Sequence, residues 1–299
     1  MARAALLFAT LVWGATFLVV ERGIVDLPVF HLLAYRFSLG ALLLAPLAWF
    51  RARRHRGRRP EWRPLLRDGV LVGVVLFAGY SFQTYGLLWT TPSRSAFLTG
   101  LSVLLVPALG WLAGTVRPRA LALVGTACAA AGLWALFQPW GGAALAFNRG
   151  DALTLGCAVS FDAHVLLVER AVRRHPVVPL AIVQFLVVAA LSAPALLFEP
   201  PAVRHFTSDA VSAVLITGVF ATAIAFACQL YAQRRLGAVE TSVVLTLEPV
   251  AAAALSIAVG REPLTAGLAV GGALILAGML ATDVGSPPPE PPGAAAPRA

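Results

Sequence analysis

Long apolar stretches separated by short polar breaks run through nearly all 299 residues of the chain. A hydrocarbon core about 30 Å thick needs about 20 helical residues to cross it, and runs of that length recur along the sequence. Ten spanning helices are predicted, over roughly 4–21, 30–50, 69–89, 95–114, 119–137, 151–169, 177–198, 209–231, 239–259 and 264–282. Breaks such as TTPSR (90–94), VRPRA (116–120) and GREP (260–263) combine Pro or Gly with polar groups and mark the connections. The tail GSPPPEPPGAAAPRA (285–299) has no apolar face to bury and is expected to be disordered.

Composition strengthens this reading. Charged residues make up 12% of the chain and apolar ones 59%, against about 25% charged in soluble domains. No soluble domain fits between the spans, so the protein is all-α and membrane-embedded. The first span follows Arg3 as a signal peptide would, but its apolar run to Val20 exceeds the usual h-region and lacks a clear cleavage site. It is expected to be retained. Cys128, Cys157 and Cys228 fall inside spans with no C-x-x-C or His-paired spacing, which indicates neither disulfide nor metal site, and no cofactor is expected.

The net charge of +9 is distributed by topology, which argues against nucleic acid as a partner. Eight arginines between Arg51 and Arg67 occupy the single connection after the second span. Placing that loop in the cytoplasm puts most other arginines there too, the positive-inside pattern, with both termini cytoplasmic and the lipid bilayer as partner. The cytoplasmic (cell) membrane is the expected location.

Internal repeats carry the most information. A shift of 148 lays LVVER (18–22) on LLVER (166–170), Phe37 on Phe185, Pro46 on Pro194 and Phe50 on Phe198. A shift of 142 lays Thr99 on Thr241 and Pro107 on Pro249, and 146 lays Gly125 and Gly132 on Gly271 and Gly278. The chain is therefore a duplicated five-span unit: residues 1–137 and 151–283 form the repeats, 138–150 an external connection, and 284–299 a cytoplasmic tail. Five is odd, so the second copy enters from the opposite side. Inverted repeats of this kind are the architecture of secondary transporters, with the site near mid-membrane between the halves.

The stretch LGAVETSVVLTLEPVAAAALSIAVGREPLTAGLAVGGALILAGMLA (236–281), with Trp13-Gly14 and Tyr35-Arg36-Phe37, resembles the drug/metabolite transporter superfamily in its EamA-type branch. The resemblance covers about residues 4–282. It implies a ten-helix carrier, often an exporter of amino acids or other small metabolites, whose cavity is lined mainly by helices other than the fifth and tenth. It places Trp13, Tyr35, Arg36, Glu248 and Glu262 at motif positions. Glu248 has Val106 as its first-half counterpart, so the acidic feature belongs to one repeat.

Depth along the spans independently selects a mid-membrane set. Trp13 and Phe161 superpose at a shift of 148, Tyr80 and Asp162 share their level, and Thr16 and His164, also superposed, lie within a turn. With Gln83, the residues Trp13, Thr16, Tyr80, Phe161 and His164 are candidates for binding a small-molecule substrate, because rings supply contact area and polar groups set orientation. Each could equally fill volume or bond between helices. Pro107 and Pro249 interrupt their spans at equivalent places and free backbone carbonyls near mid-membrane. Gly69–Gly73, Gly110–Gly114 and Gly267–Gly271 are small-residue stripes for close helix approach, with a homodimer as one use.

Three ionisable groups lie deep enough to matter: Arg36, Asp162 and Glu248. A carboxylate at the centre of a spanning helix costs roughly 2.5–3.5 kcal/mol, so it needs a partner, a proton or water. Glu248 could pair with Arg36 and pin two helices, exchange a proton as the cavity switches sides, or touch the substrate, with Asp162 as an alternative proton carrier. The function expected is a carrier of a small polar or amphipathic metabolite. A membrane-embedded enzyme or transferase is the alternative, though neither H-E-x-x-H nor G-x-S-x-G occurs. A structural membrane subunit is the other.

Overall fold

The computed structural model describes residues 1–54, 61–101, 105–106, 109, 111–112, 114, 120–137, 148–198, 207–260 and 266–285. They form helices α1 (Ala2–Asp26), α2 (Val29–Arg54), α3 (Trp62–Gly86), α4 (Pro92–Gly100), α5 (Ala120–Phe137), α6 (Arg149–Arg174) and α7 (Val177–Ala195). There follow α8 (Ser208–Gln233), α9 in two segments (Ala238–Leu245 and Leu247–Ala258) and α10 (Ala266–Gly285). Seven of these runs are long and apolar enough to cross a bilayer, while α5 and α10 carry the shorter apolar cores Leu123–Gly132 and Ala269–Gly278. The protein is an all-α membrane protein of ten helices in two inverted five-helix repeats.

The duplication is visible in local chemistry. α1 joins α2 through Leu27-Pro28, and α6 joins α7 through His175-Pro176, 148 residues later. A residue before proline is driven to extended backbone; Leu27 (φ −119°, ψ 116°) and His175 (φ −120°, ψ 152°) both comply. Each donates its N–H back to the preceding helix, to Gly23 and Ala171 respectively, so neither elbow leaves the helix end unsatisfied. α6 begins with a capping box in which Asp151 N–H donates to Asn148 Oδ1 and Asn148 N–H donates to Asp151 Oδ2. Asn148 caps α6 as Thr207 caps α8, by accepting from Ala210 N–H; Thr207 also donates to Asp26 Oδ2 at 2.8 Å, tying α8 to the end of α1.

Repeat-related helices meet on the axis that relates the halves: α2 packs on α7, and α5 on α10. In the second pair a Cβ on Gly132 would stand 2.6 Å from the Gly271 carbonyl, and one on Gly278 would stand 2.5 Å from the Gly125 carbonyl. Since Gly132 corresponds to Gly278 and Gly125 to Gly271, one contact is made twice, as a two-fold requires. α5 and α10 are thereby set against each other, and the remaining helices enclose the centre. Gly69 and Gly73 lie against Val183 and Val187 of α7, so this stripe serves packing within the chain.

Among the described residues, α9 and α8 depart from regular geometry. α9 breaks at Thr246, whose N–H and Oγ1 both turn back to the Val243 carbonyl, three residues before Pro249. Proline cannot donate to the carbonyl four residues back, which makes this stretch easy to interrupt. Pro107 and Glu262 lie outside the described residues. α8 widens into a π-helical stretch at Thr217–Ile224. Wide turns of this kind often sit at functional places.

Candidate functional site

At the interface of the repeats lies a cavity with about 870 Å³ of empty space, its open mouth included. It is bounded by α1, α2, α3 and α4 from one half and by α6, α8 and α9 from the other. On the side where the chain begins, Leu6, Ala232, Leu236 and Val244 form a buried apolar cluster outside the lining. Above them Arg3 Nε donates to Glu240 Oε1 at 2.7 Å and joins α1 to α9. Toward the opposite end the lining continues through Val20 and Leu87.

The walls are aromatic and duplicated. Trp13 contacts Phe226 edge-on at 5.1 Å between centroids, and Phe161 contacts Tyr80 in the same way at 5.2 Å. Phe37 packs on Tyr80 at 5.1 Å and Phe185 on Phe226 at 5.5 Å, while Phe37 and Phe185 meet each other at 5.7 Å. Edge-to-face geometry puts positive ring edges on negative faces and adds about 0.5–1.5 kcal/mol per pair beyond burial. Trp13 also donates its indole N–H to the Ala221 carbonyl at 2.8 Å. Ala221 lies in the π-helical stretch, so the ring is anchored to the irregular turn of α8.

Trp13, Thr16, Tyr80, Gln83, Phe161 and His164 all line the cavity, together with Arg36, Glu248 and Pro249. Thr16 donates to the Trp13 carbonyl, and His164 Nε2 donates to Gln184 Oε1 at 2.9 Å. Arg36 is 2% exposed, donates from Nε to Thr222 Oγ1 at 3.2 Å, and stacks its Cζ 4.7 Å from the Tyr80 ring centre. Among the described residues no ion pair joins Arg36 to Glu248. Glu248 is partly exposed to the cavity, at the first turn of the second α9 segment, where the positive helix end favours a carboxylate. Gly14 allows this approach, because any Cβ there would stand 2.6 Å from the Glu248 carbonyl. Asp162 is fully buried and is not part of the lining; Tyr35 is 38% exposed and also lies off it. The charged groups among the described lining residues are therefore Arg36 and Glu248, on separate walls. No group of three or more His, Cys, Asp or Glu that could hold a metal occurs among the described residues.

The profile of the EamA-like transporter family matches residues 2–138 and again 148–282. The chain belongs to the EamA-like transporter family. This EamA-like protein is 31% identical over 271 residues to an uncharacterized transporter of Archaeoglobus fulgidus, an alignment that covers 91% of the chain and 82% of that relative. A second uncharacterized transporter of the same organism matches at 31% over 112 residues, 38% of each chain. In fold, the EamA-like chain superposes on a solved crystal structure with TM-score 0.75 at 24% identity, covering 95% of one and 96% of the other. It is thus a transporter of the drug/metabolite type and an integral membrane protein.

Sequence reasoning missed Phe226 and Gln229, both buried and both on the cavity wall of the EamA-like bundle. A usable signal was present. Tyr80 and Gln83 fall on Phe226 and Gln229 at a shift of 146, the same register that relates Gly125 to Gly271. Thr84 and Thr246 also line the cavity and carry no comparable mark in the sequence, whereas Thr99, also on the lining, is marked by its match to Thr241 at a shift of 142.

Proposed function

We propose that this protein is a secondary carrier working by alternating access, which moves a small polar or amphipathic metabolite, such as an amino acid, outward across the cytoplasmic membrane. The observation that supports it is an aromatic-walled cavity built by residues of both inverted repeats. A site shared by two halves related by an in-plane axis can be exposed to either side as the halves rock. The repeats span 1–137 and 151–283, joined by the external connection 138–150 and followed by the cytoplasmic tail 284–299. Both termini lie in the cytoplasm, so the Leu6 cluster and the Arg3–Glu240 contact belong to the inner side. Glu248 exchanges the coupling proton, in keeping with its placement on the cavity wall without an ion-pair partner among the described residues.

Reconstitution in liposomes tests the carrier: cargo should cross without chemical change, at a rate that saturates. Ala at Trp13, Tyr80 or Phe161 should lower flux per folded molecule more than it lowers folded yield. Chemical conversion of the cargo, or unchanged flux in all three variants, would remove the reading. Labelling of a single Cys at position 53 by an impermeant reagent in intact cells would reverse the orientation.

A further inference from the structure

Arg36 presents a problem that packing does not solve. A guanidinium taken out of water loses several kcal/mol of solvation, and the loss is made good only by close charge and hydrogen-bond partners. Among the described residues the partners of Arg36 are neutral: the Thr222 hydroxyl, the Tyr80 side chain, which both stacks on the fork and hydrogen-bonds it, and the Phe37 ring at 5.1 Å from Cζ. They fix the plane of the fork without cancelling its charge. Thr222 and Tyr80 engage only part of the five-donor fork, and the side chain that carries the rest lines the cavity. Such a planar fork matches the two oxygens of a carboxylate.

The duplication shows that the bundle does not need this charge. At a shift of 148 Arg36 corresponds to Gln184, which is fully buried on α7 and bonded to His164. One half of the molecule thus fills the position with an uncharged amide, and the other spends a buried cation there. Glu248, which could have neutralised it, stands on α9 and is not paired with it.

We infer that Arg36 selects the cargo by binding an anionic group, of carboxylate chemistry, on a molecule whose apolar body rests against Trp13, Phe161 and Phe226. The inference rests on the carrier reading above and adds the chemical class of the substrate and the residue that reads it. Thr222 and Tyr80 are positioning residues for the fork.

The test uses three probes with the same ring and different charge: phenylacetate, phenethylamine and 2-phenylethanol. Each is titrated calorimetrically into the full chain in detergent. Phenylacetate should bind, with the amine and the alcohol weaker by about tenfold or more, the size expected for losing hydrogen bonds to a charged group. Arg36→Gln, which installs the residue of the other repeat, should level the three affinities, and Arg36→Lys should keep part of the preference. The native protein and Arg36→Lys carry the test if Arg36→Gln does not fold. Equal or tighter binding of the amine or the alcohol would leave the cavity a binding site and overturn only the role of Arg36. A preference for phenylacetate that survives in Arg36→Gln would overturn it as well. Failure of all three probes to bind the native protein, while liposome flux of another cargo persists, would overturn the assigned class and leave the carrier reading intact.

Discussion

The two repeats share a skeleton and differ in their polar groups. Trp13 and Phe161, Phe37 and Phe185, Tyr80 and Phe226 stand at matched positions, and their ring contacts recur on both sides of the axis. Gln83 and Gln229 match as well, but the other polar positions diverge: Arg36 corresponds to Gln184, Thr16 to His164, and Glu248 to Val106. Closure around an axis depends on shape, and two copies of one unit need the same shape to close. Closure does not require charge, and burying charge opposes it. Residues that keep the symmetry therefore build the cavity, and residues that break it are the ones whose chemistry has another use.

The largest effect is expected where the repeats differ most. Glu248→Gln should reduce flux driven by an imposed pH gradient to the level of empty liposomes, while exchange at equal pH persists, because exchange does not require deprotonation in a proton-coupled carrier. Asp162→Asn, off the cavity, should retain gradient-driven flux. Gradient-driven flux intact in Glu248→Gln would break the link between asymmetry and coupling.

A smaller but matched effect is expected where the repeats agree in backbone. Gly132→Ala and Gly278→Ala each push a methyl group into a carbonyl across the α5–α10 contact, and should each cost about 1–3 kcal/mol of stability. Thermal unfolding in detergent measures both. A cost at one position and none at the other would end the claim that the contact is made twice.

The rings sharpen the same comparison. Phe37→Leu and Phe185→Leu each keep an apolar side chain in a fully buried site and should lose about 1 kcal/mol. The double variant should reveal a coupling of about 0.5–1.5 kcal/mol. Additive losses would mean that the two rings do not support each other across the axis. The smallest effect belongs to the Arg3–Glu240 pair: with Arg3 half exposed, Arg3→Ala should cost about 0.2–1 kcal/mol, less at high salt. A salt-independent loss of several kcal/mol would make it a structural pin.

Some of the site was legible because depth and repetition leave marks in a linear chain. Trp13 and Phe161 fall at one level of the membrane and coincide on superposition, which suffices to place them together. Gln229 was missed because its helix follows a register of 146, two residues away from that of the first two helices of each repeat, and no proline or charged pair marks the change. Asp162 has the same depth as its cavity-lining neighbour Phe161, but adjacent residues on a helix point about 100° apart, and depth does not say which of them faces inward.

Taken alone, the sequence determined the class, the ten helices and the duplication. Each of these follows from quantities that are local or periodic: the length of apolar runs and the spacing of repeated residues. Only the tertiary structure decided which side chains face each other. It placed Arg36 against Thr222 and Tyr80 rather than Glu248, put Asp162 off the cavity wall, and turned the glycines of α3 toward α7. Those outcomes depend on helix rotation and crossing, which are set by the simultaneous fit of many side chains. No single stretch of sequence records that fit.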